Sequence, residues 1–223
     1  MKLTHSYMIK RLLLDLLYPN RCGMCGRNIP YSEYFCNKCA GIFSPPPEDD
    51  AIPYIDFFCA YTAYKNYGID LAAKLKNENN GYAISGAAYL IYKSFCEKDS
   101  KRLNEVDLIT YIPMRRKDIY KRGYNQCRLM ANELSCITDK PFRSLLVKTR
   151  DTRQQKTLGA IERRENVKGV FSCTKPKLVK GRTILLIDDI STTGSTLSEA
   201  AKVLKEAGAE RVYAGVLAKT VYK

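Results

Sequence analysis

The fold of this chain is indicated by one stretch, ILLIDDISTTGST at residues 184–196. It begins with a continuous apolar run, which is typical of a strand buried on both faces of a parallel sheet. Two carboxylates follow, Asp188 and Asp189, and a turn rich in hydroxyl groups then leads into a helical pattern over Ser195–Ala207. A strand, a polar turn and a helix in this order indicate an α/β protein, in which ligands bind beyond the carboxyl ends of the strands.

The two carboxylates and the turn predict a site for a phosphorylated ribose. Adjacent carboxylates repel each other, unless they share a cation or accept hydrogen bonds from vicinal hydroxyls such as those of a ribose. The turn supplies backbone N–H groups, hydroxyls and a glycine at the positive end of a helix dipole, which suits a phosphate. The predicted phosphate-binding residues are Ser191, Thr192, Thr193, Gly194, Ser195 and Thr196.

Two alternatives compete with this interpretation. An acidic turn followed by a Ser/Thr helix cap is also an ordinary structural feature of α/β proteins. A Walker B strand of an ATPase likewise ends in acidic residues, but the sequence contains no Gly-Lys-Ser/Thr element, which excludes that class.

The remainder of the chain alternates strand and helix patterns, which predicts a parallel, doubly wound sheet with flanking helices. Gly208 stands just past the helix that ends near Ala207, where a left-handed cap is favoured. We predict strands near Ile55–Tyr64, Val106–Ile112, Ser144–Lys148, Thr183–Ile187 and Arg211–Ala218, and helices near Ile69–Lys76, Tyr82–Phe95, Lys117–Leu134 and Ser195–Ala207.

A separate zinc module is predicted before this domain. Cys22, Cys25, Cys36 and Cys39 form two C-x2-C pairs, the spacing of a closed, four-thiolate structural zinc site. The turn-forming and acidic residues 44–50 separate the two parts, so we expect a module at 1–44 and an α/β domain at 51–223. The other five cysteines are scattered and suit buried apolar positions.

The stretch 184–196 resembles the 5-phosphoribosyl 1-diphosphate (PRPP) signature of type I phosphoribosyltransferases. Besides the stretch 184–196, a wider resemblance rests on the Cys-rich N-terminus, on IPMRRKDIYKRGYNQ at 112–126 and on TRDTRQQKTLGAIERRENVKGVF at 149–171. By these features the whole chain is similar to the ComF family of competence-associated, phosphoribosyltransferase-like proteins. The resemblance implies that Asp188 and Asp189 hold the ribose hydroxyls and, indirectly, Mg²⁺, and that residues 192–196 wrap the 5-phosphate. It further implies a loop that grips the pyrophosphate, for which the candidates are Arg115, Arg116 and Lys117, and a mobile hood over Arg150–Lys168.

Two functions remain open after this comparison. The first is transfer of ribose 5-phosphate from PRPP to an acceptor; Thr192 stands where many nucleobase-using members carry Asp, so the acceptor is not identified. The second is a binding protein that senses PRPP and holds single-stranded nucleic acid through its net charge of +14 and its 16 tyrosines. The resemblance implies a role in natural transformation or in handling incoming single-stranded DNA, with competence-machinery proteins as partners.

The sequence also predicts where the protein resides. Nine cysteines without a secretory signal indicate a reducing compartment, so we expect a cytoplasmic protein. The apolar segment 8–18 is too short to span a bilayer and is predicted to be an amphipathic helix that packs on the protein, with a membrane surface as the alternative. His5 is the only histidine, which excludes histidine-based triads and His-ligated catalytic metals.

Overall fold

The computed structural model describes residues 9, 11–12, 18–47, 51–77, 80–150 and 165–220. Its centre is a parallel sheet of four described strands in the order β1-β6-β5-β2, beside a small antiparallel pair β3-β4. The strands are β1 (Phe57–Ala63), β2 (Leu108–Tyr111), β3 (Leu146–Lys148), β4 (Phe171–Cys173), β5 (Thr183–Ser191) and β6 (Arg211–Lys219). The predicted parallel α/β sheet is therefore confirmed.

Helices cover both faces of this sheet. In chain order they are α1 (Asn37–Ala40), α2 (Tyr67–Asn77), α3 (Gly81–Asp99), α4 (Lys101–Glu105), α5 (Arg116–Arg122), α6 (Gln126–Thr138), α7 (Pro176–Val179) and α8 (Ser195–Glu206). The predicted cap after α8 is present, since Gly208 has a φ of 94°.

Alternate side chains of β5 enter two separate apolar cores. Leu185 and Ile187 pack with α3 and α6 on one face, whereas Ile184 and Leu186 pack with α8 and the β3-β4 pair on the other. All four are fully buried, as expected for a central strand covered on both sides. This burial fixes the register of β5 and hence the position of Asp188 and Asp189 near its carboxyl end.

Two predicted boundaries were wrong. The strand predicted to end at Ile187 continues to Ser191, because β6 pairs with it as far as the partners Ser191 and Lys219. The helix predicted over Lys117–Leu134 is two helices. Gly123 ends the first with a φ of 84°, and the side chain of Asn125 caps the second by accepting from two backbone N–H groups.

The four-cysteine segment packs directly on α3. The ring of Tyr34 stacks on Tyr89 with centroids 4.3 Å apart. Phe35 lies over Gly86 so closely that a Cβ on this glycine would stand 2.7 Å from the ring. The segment therefore shares one apolar core with the α/β domain.

Two predicted segments lie mainly outside the described residues. The predicted hood at 150–168 is described only at Arg150 and from Glu165 onward, and the predicted N-terminal helix only at residues 9, 11, 12 and 18. In the described ranges, helices of membrane-spanning length and apolarity are absent.

Candidate functional site

The carboxyl ends of β2 and β5 and the N-termini of α6 and α8 enclose a cavity of about 190 Å³. Parallel strands bring these ends to the same edge of the sheet, where ligands bind in open α/β folds. The lining includes eight of the predicted site residues: Arg115, Asp188, Asp189, Ser191, Thr192, Gly194, Ser195 and Thr196.

The two carboxylates in this cavity have different hydrogen-bond partners. Oδ1 of Asp188 accepts from the Cys127 thiol at 3.3 Å and from the backbone N–H of Asp189 at 2.9 Å. Oδ2 of Asp189 lies 2.9 Å from Nζ of Lys76 and accepts from Nε2 of Gln126, also at 2.9 Å. Among the described residues, only the second carboxylate of the pair has a cation as a direct partner.

This asymmetry separates the acidities of the pair. Burial, and then the charge of Asp189, raise the pKa of Asp188 from 3.8 to about 7. Burial also opposes ionisation of Asp189, but the ammonium of Lys76 outweighs it and holds the pKa of Asp189 below its ordinary value. Burial and the neighbouring Asp188 raise the pKa of Cys127 well above that of a free thiol, so Cys127 is a hydrogen-bond donor here and a poor nucleophile.

The turn after β5 has the geometry that a phosphate needs. Gly194 adopts a φ of 71° and serves as the N-cap of α8, a 12-residue helix, and the hydroxyl of Thr193 accepts a hydrogen bond from the backbone N–H of Ser195 at 3.4 Å. The first residues of α8, Ser195 and Thr196, line the cavity, so the positive end of the helix dipole faces the cavity, as suits an anion. The hydroxyls of Thr193 and Ser195 bond each other at 2.7 Å, and Thr193 does not line the cavity.

The loop after β2 brings only one of its three predicted cations to the cavity. Arg115 lies in the wall, where Nη2 donates to Oδ1 of Asp118 at 2.9 Å and Nε donates to the other oxygen. Arg116 and Lys117 are both exposed and line an adjoining groove instead.

That groove is larger than the cavity, about 1260 Å³, and the two share Pro113, Met114, Arg115, Asn125 and Lys148. Its floor is partly apolar, with Leu129 and Leu146 among the lining side chains. Within the described part of the chain, carboxylates are absent from this lining. Its cations are Arg115, Arg116, Lys117, Arg128, Lys148 and Arg150.

The four predicted metal-binding cysteines come together. The sulfurs of Cys22, Cys25, Cys36 and Cys39 all lie within 4.8 Å of one another, with those of Cys25 and Cys36 3.8 Å apart. Burial raises the pKa of Cys36, but hydrogen bonds from Cys39 and the neighbouring thiols outweigh it and lower this pKa to about 7. Four converging sulfurs fit a tetrahedral Zn²⁺ and leave no open position for a substrate.

Three residues of the carboxylate environment were missed by sequence reasoning: Lys76, Gln126 and Cys127. Gln126 and Cys127 begin α6, and the Asn-Gln pair after Gly123 could have marked that helix start as a site. Lys76 carries no local signal, because it is one of two lysines on α2 and becomes distinctive only through the fold.

Two family models match separate segments of this chain. The phosphoribosyl transferase domain family matches residues 119–221, and the double zinc ribbon domain family matches residues 13–50, which contain the four clustered cysteines. Competence protein F of Haemophilus influenzae is 30% identical over 203 residues, covering 89% of this chain and 84% of that protein. DNA utilization protein YhgH of Escherichia coli K12 is 28% identical over 205 residues, which cover 90% of this chain and 84% of that protein. A solved purine phosphoribosyltransferase from Pyrococcus horikoshii is 20% identical, with a TM-score of 0.36. The match covers 61% of this chain and 73% of that protein.

Proposed function

Because this chain belongs to the competence protein F family, we propose that it binds PRPP in the cavity beside Asp188 and Asp189 and acts on DNA that enters the cell. The single observation that carries the proposal is the shared cavity. Its wall contains two buried carboxylates, which suit ribose hydroxyls, and the first turn of α8, which suits a phosphate. The names of the relatives, a competence protein and a DNA utilization protein, support the second half of the proposal.

In the proposed complex each half of the cavity holds one part of PRPP. The ribose hydroxyls donate to Asp188 and Asp189, and the 5-phosphate accepts from the N–H groups of residues 192–196. The same carboxylate oxygens suit Mg²⁺ held through water, and the ion would neutralise part of the diphosphate charge. Arg115 stands where its guanidinium can face the diphosphate, provided that its bond to Asp118 is exchanged.

Transfer would proceed at the anomeric carbon of the ribose. An O–H or N–H group of the acceptor forms a bond to this carbon, the bond to the diphosphate oxygen breaks, and the electron pair leaves with the diphosphate. The acceptor's proton passes to solvent water, because the hydroxyl of Thr192 cannot serve as a carboxylate base would. Arg115 stabilises the negative charge that develops on the departing diphosphate, while the N-terminus of α8 holds the 5-phosphate in place.

The enzymatic half of the proposal is tested by pyrophosphate release from PRPP. The zinc-loaded protein is incubated with PRPP, Mg²⁺ and, separately, nucleobases, nucleotides and single-stranded oligonucleotides. Release with one acceptor, abolished in Asp188→Asn with Asp189→Asn, is the expected result. Absence of release with every acceptor, together with intact PRPP binding, would leave the protein a PRPP-binding sensor without transferase activity.

A second candidate function, binding of single-stranded nucleic acid, is favoured by the groove. Its cations and apolar floor suit a strand that offers both phosphates and bases. We expect the logarithm of the association constant to fall linearly with the logarithm of salt concentration. Replacing Arg116, Lys117 and Arg128 by Gln should make that slope shallower by about 2, because each phosphate that a cation neutralises contributes roughly 0.7 on a single strand.

Lys202→Gln provides the matched control for this slope. Lys202 is an exposed lysine of α8, paired with Glu206 and absent from the groove lining. A flat salt response of the wild-type protein, or equal slopes for the triple variant and the wild type, would exclude the groove as a nucleic-acid site.

A further inference from the structure

Lys76 reaches the carboxylate pair from outside the cavity. It stands in the last turn of α2, and its Nζ lies 2.9 Å from Oδ2 of Asp189. The side chain of Lys76 is 26% exposed and that of Asp189 is 11% exposed, so both charges are largely removed from water. Lys76 does not line the cavity, whereas Asp189 does. The ammonium therefore leaves the ligand-facing side of the carboxylate open.

The contacts of Asp189 fix its orientation as well as its charge. Oδ2 accepts from Lys76 and Gln126, and Oδ1 accepts from the backbone N–H of Ile190 at 2.8 Å. Three donors on three different segments leave the carboxylate a single rotamer. A buried carboxylate beside a second carboxylate would otherwise protonate or turn away, since both alternatives relieve repulsion.

We propose that Lys76 is a positioning residue for PRPP, which holds Asp189 as an oriented anion ready to accept the ribose hydroxyls. This inference rests on the proposed function of the cavity and adds to it a residue outside the matched phosphoribosyl transferase segment at 119–221. Lys76 acts through Asp189 and makes no contact with the ligand.

A purely structural role is the competing explanation, in which Lys76 only ties the end of α2 to the sheet. Other contacts already do this. Leu71 and Leu75 are fully buried on the same helix, and the hydroxyl of Tyr124 donates to the carbonyl of Leu75 at 2.9 Å. The two explanations differ in one measurable respect, because a positioning role disappears when Asp189 has no charge to hold.

A double-mutant cycle on PRPP affinity separates them. Isothermal titration calorimetry with PRPP and Mg²⁺ is performed on the wild type, Lys76→Met, Asp189→Asn and the double variant. We expect Lys76→Met to weaken binding about 10- to 100-fold, by analogy with the range known for removing the outer partner of a metal-binding side chain. In the Asp189→Asn background the same change should have little further effect, because the two residues act as one unit.

Two further variants complete the experiment. Lys76→Arg keeps a cation at this position and should bind within about fivefold of the wild type. Lys202→Met removes an exposed lysine on α8 and should bind like the wild type. Thermal unfolding of each variant identifies any that fail to fold. If Lys76→Met does not fold, Lys76→Gln takes its place in the cycle, with Lys76→Arg as the variant that keeps the cation.

The outcomes are distinguishable. Wild-type affinity in Lys76→Met, or a loss of equal size with and without Asp189, would overturn the positioning role alone. A wild-type protein that does not bind PRPP would overturn the proposed function, and this inference with it.

Discussion

Asp188→Asn should stabilise the free protein while it damages the proposed PRPP site. The Asp188 carboxylate is buried beside Asp189, and burial together with that neighbour raises its pKa to about 7. An amide oxygen at this position can still accept from the Cys127 thiol and from the backbone N–H. The substitution therefore removes a charge that the fold disfavours and keeps its hydrogen bonds.

The magnitude follows from the difference in pKa between the unfolded and folded states. In the unfolded chain the carboxyl loses its proton near pH 3.8, and in the folded protein near pH 7. The destabilisation is absent below the first value, grows as the pH rises, and is complete above the second. A shift of about 3 units sets a ceiling of about 4 kcal/mol, and water in the cavity reduces this to about 1–2 kcal/mol.

Urea unfolding at pH 8 and pH 5, in zinc-containing buffer without Mg²⁺ or PRPP, measures this effect. The gain in unfolding free energy for Asp188→Asn should be largest at pH 8 and fall to roughly a third of that value at pH 5. Asp189→Asn is the matched control, because it leaves the ammonium of Lys76 without its carboxylate and should destabilise the protein by about 2 kcal/mol. Equal destabilisation by both variants would refute the reasoning.

Three further predictions follow from the same structure. Removing zinc by chelation, or changing Cys22 to Ser, should lower the midpoint of thermal unfolding of the whole chain in circular dichroism, because the cysteine segment and the α/β domain share one apolar core. An unchanged midpoint would contradict this. Gly194→Ala should lower the free energy of unfolding by about 2 kcal/mol, because the φ of Gly194 is positive and a Cβ would meet Ile52 at 3.0 Å. Gly181 also has a positive φ but open space around it, so Gly181→Ala should cost only about 1 kcal/mol. Equal losses in urea unfolding would exclude the Ile52 contact. Asp118→Asn should tighten pyrophosphate binding several-fold in calorimetry, because it removes a carboxylate from the cavity wall and releases the guanidinium of Arg115. Weaker binding would show that the Arg115–Asp118 ion pair is needed intact.

The sequence predicted those features of the fold that depend on local pattern. The apolar run before Asp188 marked the central strand, because a strand buried on both faces has no polar alternation. The extension of this strand to Ser191 could not be predicted, since it depends on pairing with β6 across the fold. The helix break between Gly123 and Asn125 was missed, although a left-handed glycine and an N-cap asparagine are both local signals.

For the site, the sequence predicted that the two carboxylates and the turn after β5 come together, but not how the carboxylates are charged. Asp188 and Asp189 are identical in type, adjacent in the chain and equally buried, so their different acidities arise from their partners, above all the ammonium of Lys76 beside Asp189. The bond between Arg115 and Asp118 was also missed. A spacing of three residues on a helix permits such a pair without requiring it.

The central claim, that the cavity binds PRPP, is tested most directly by calorimetric titration of the zinc-loaded protein with PRPP in Mg²⁺. We expect binding with a dissociation constant of about 1 μM to 1 mM. In Asp188→Asn with Asp189→Asn that binding should be lost while the fold is retained. No heat of binding from the wild type, or equal affinity in the double variant, would contradict the account.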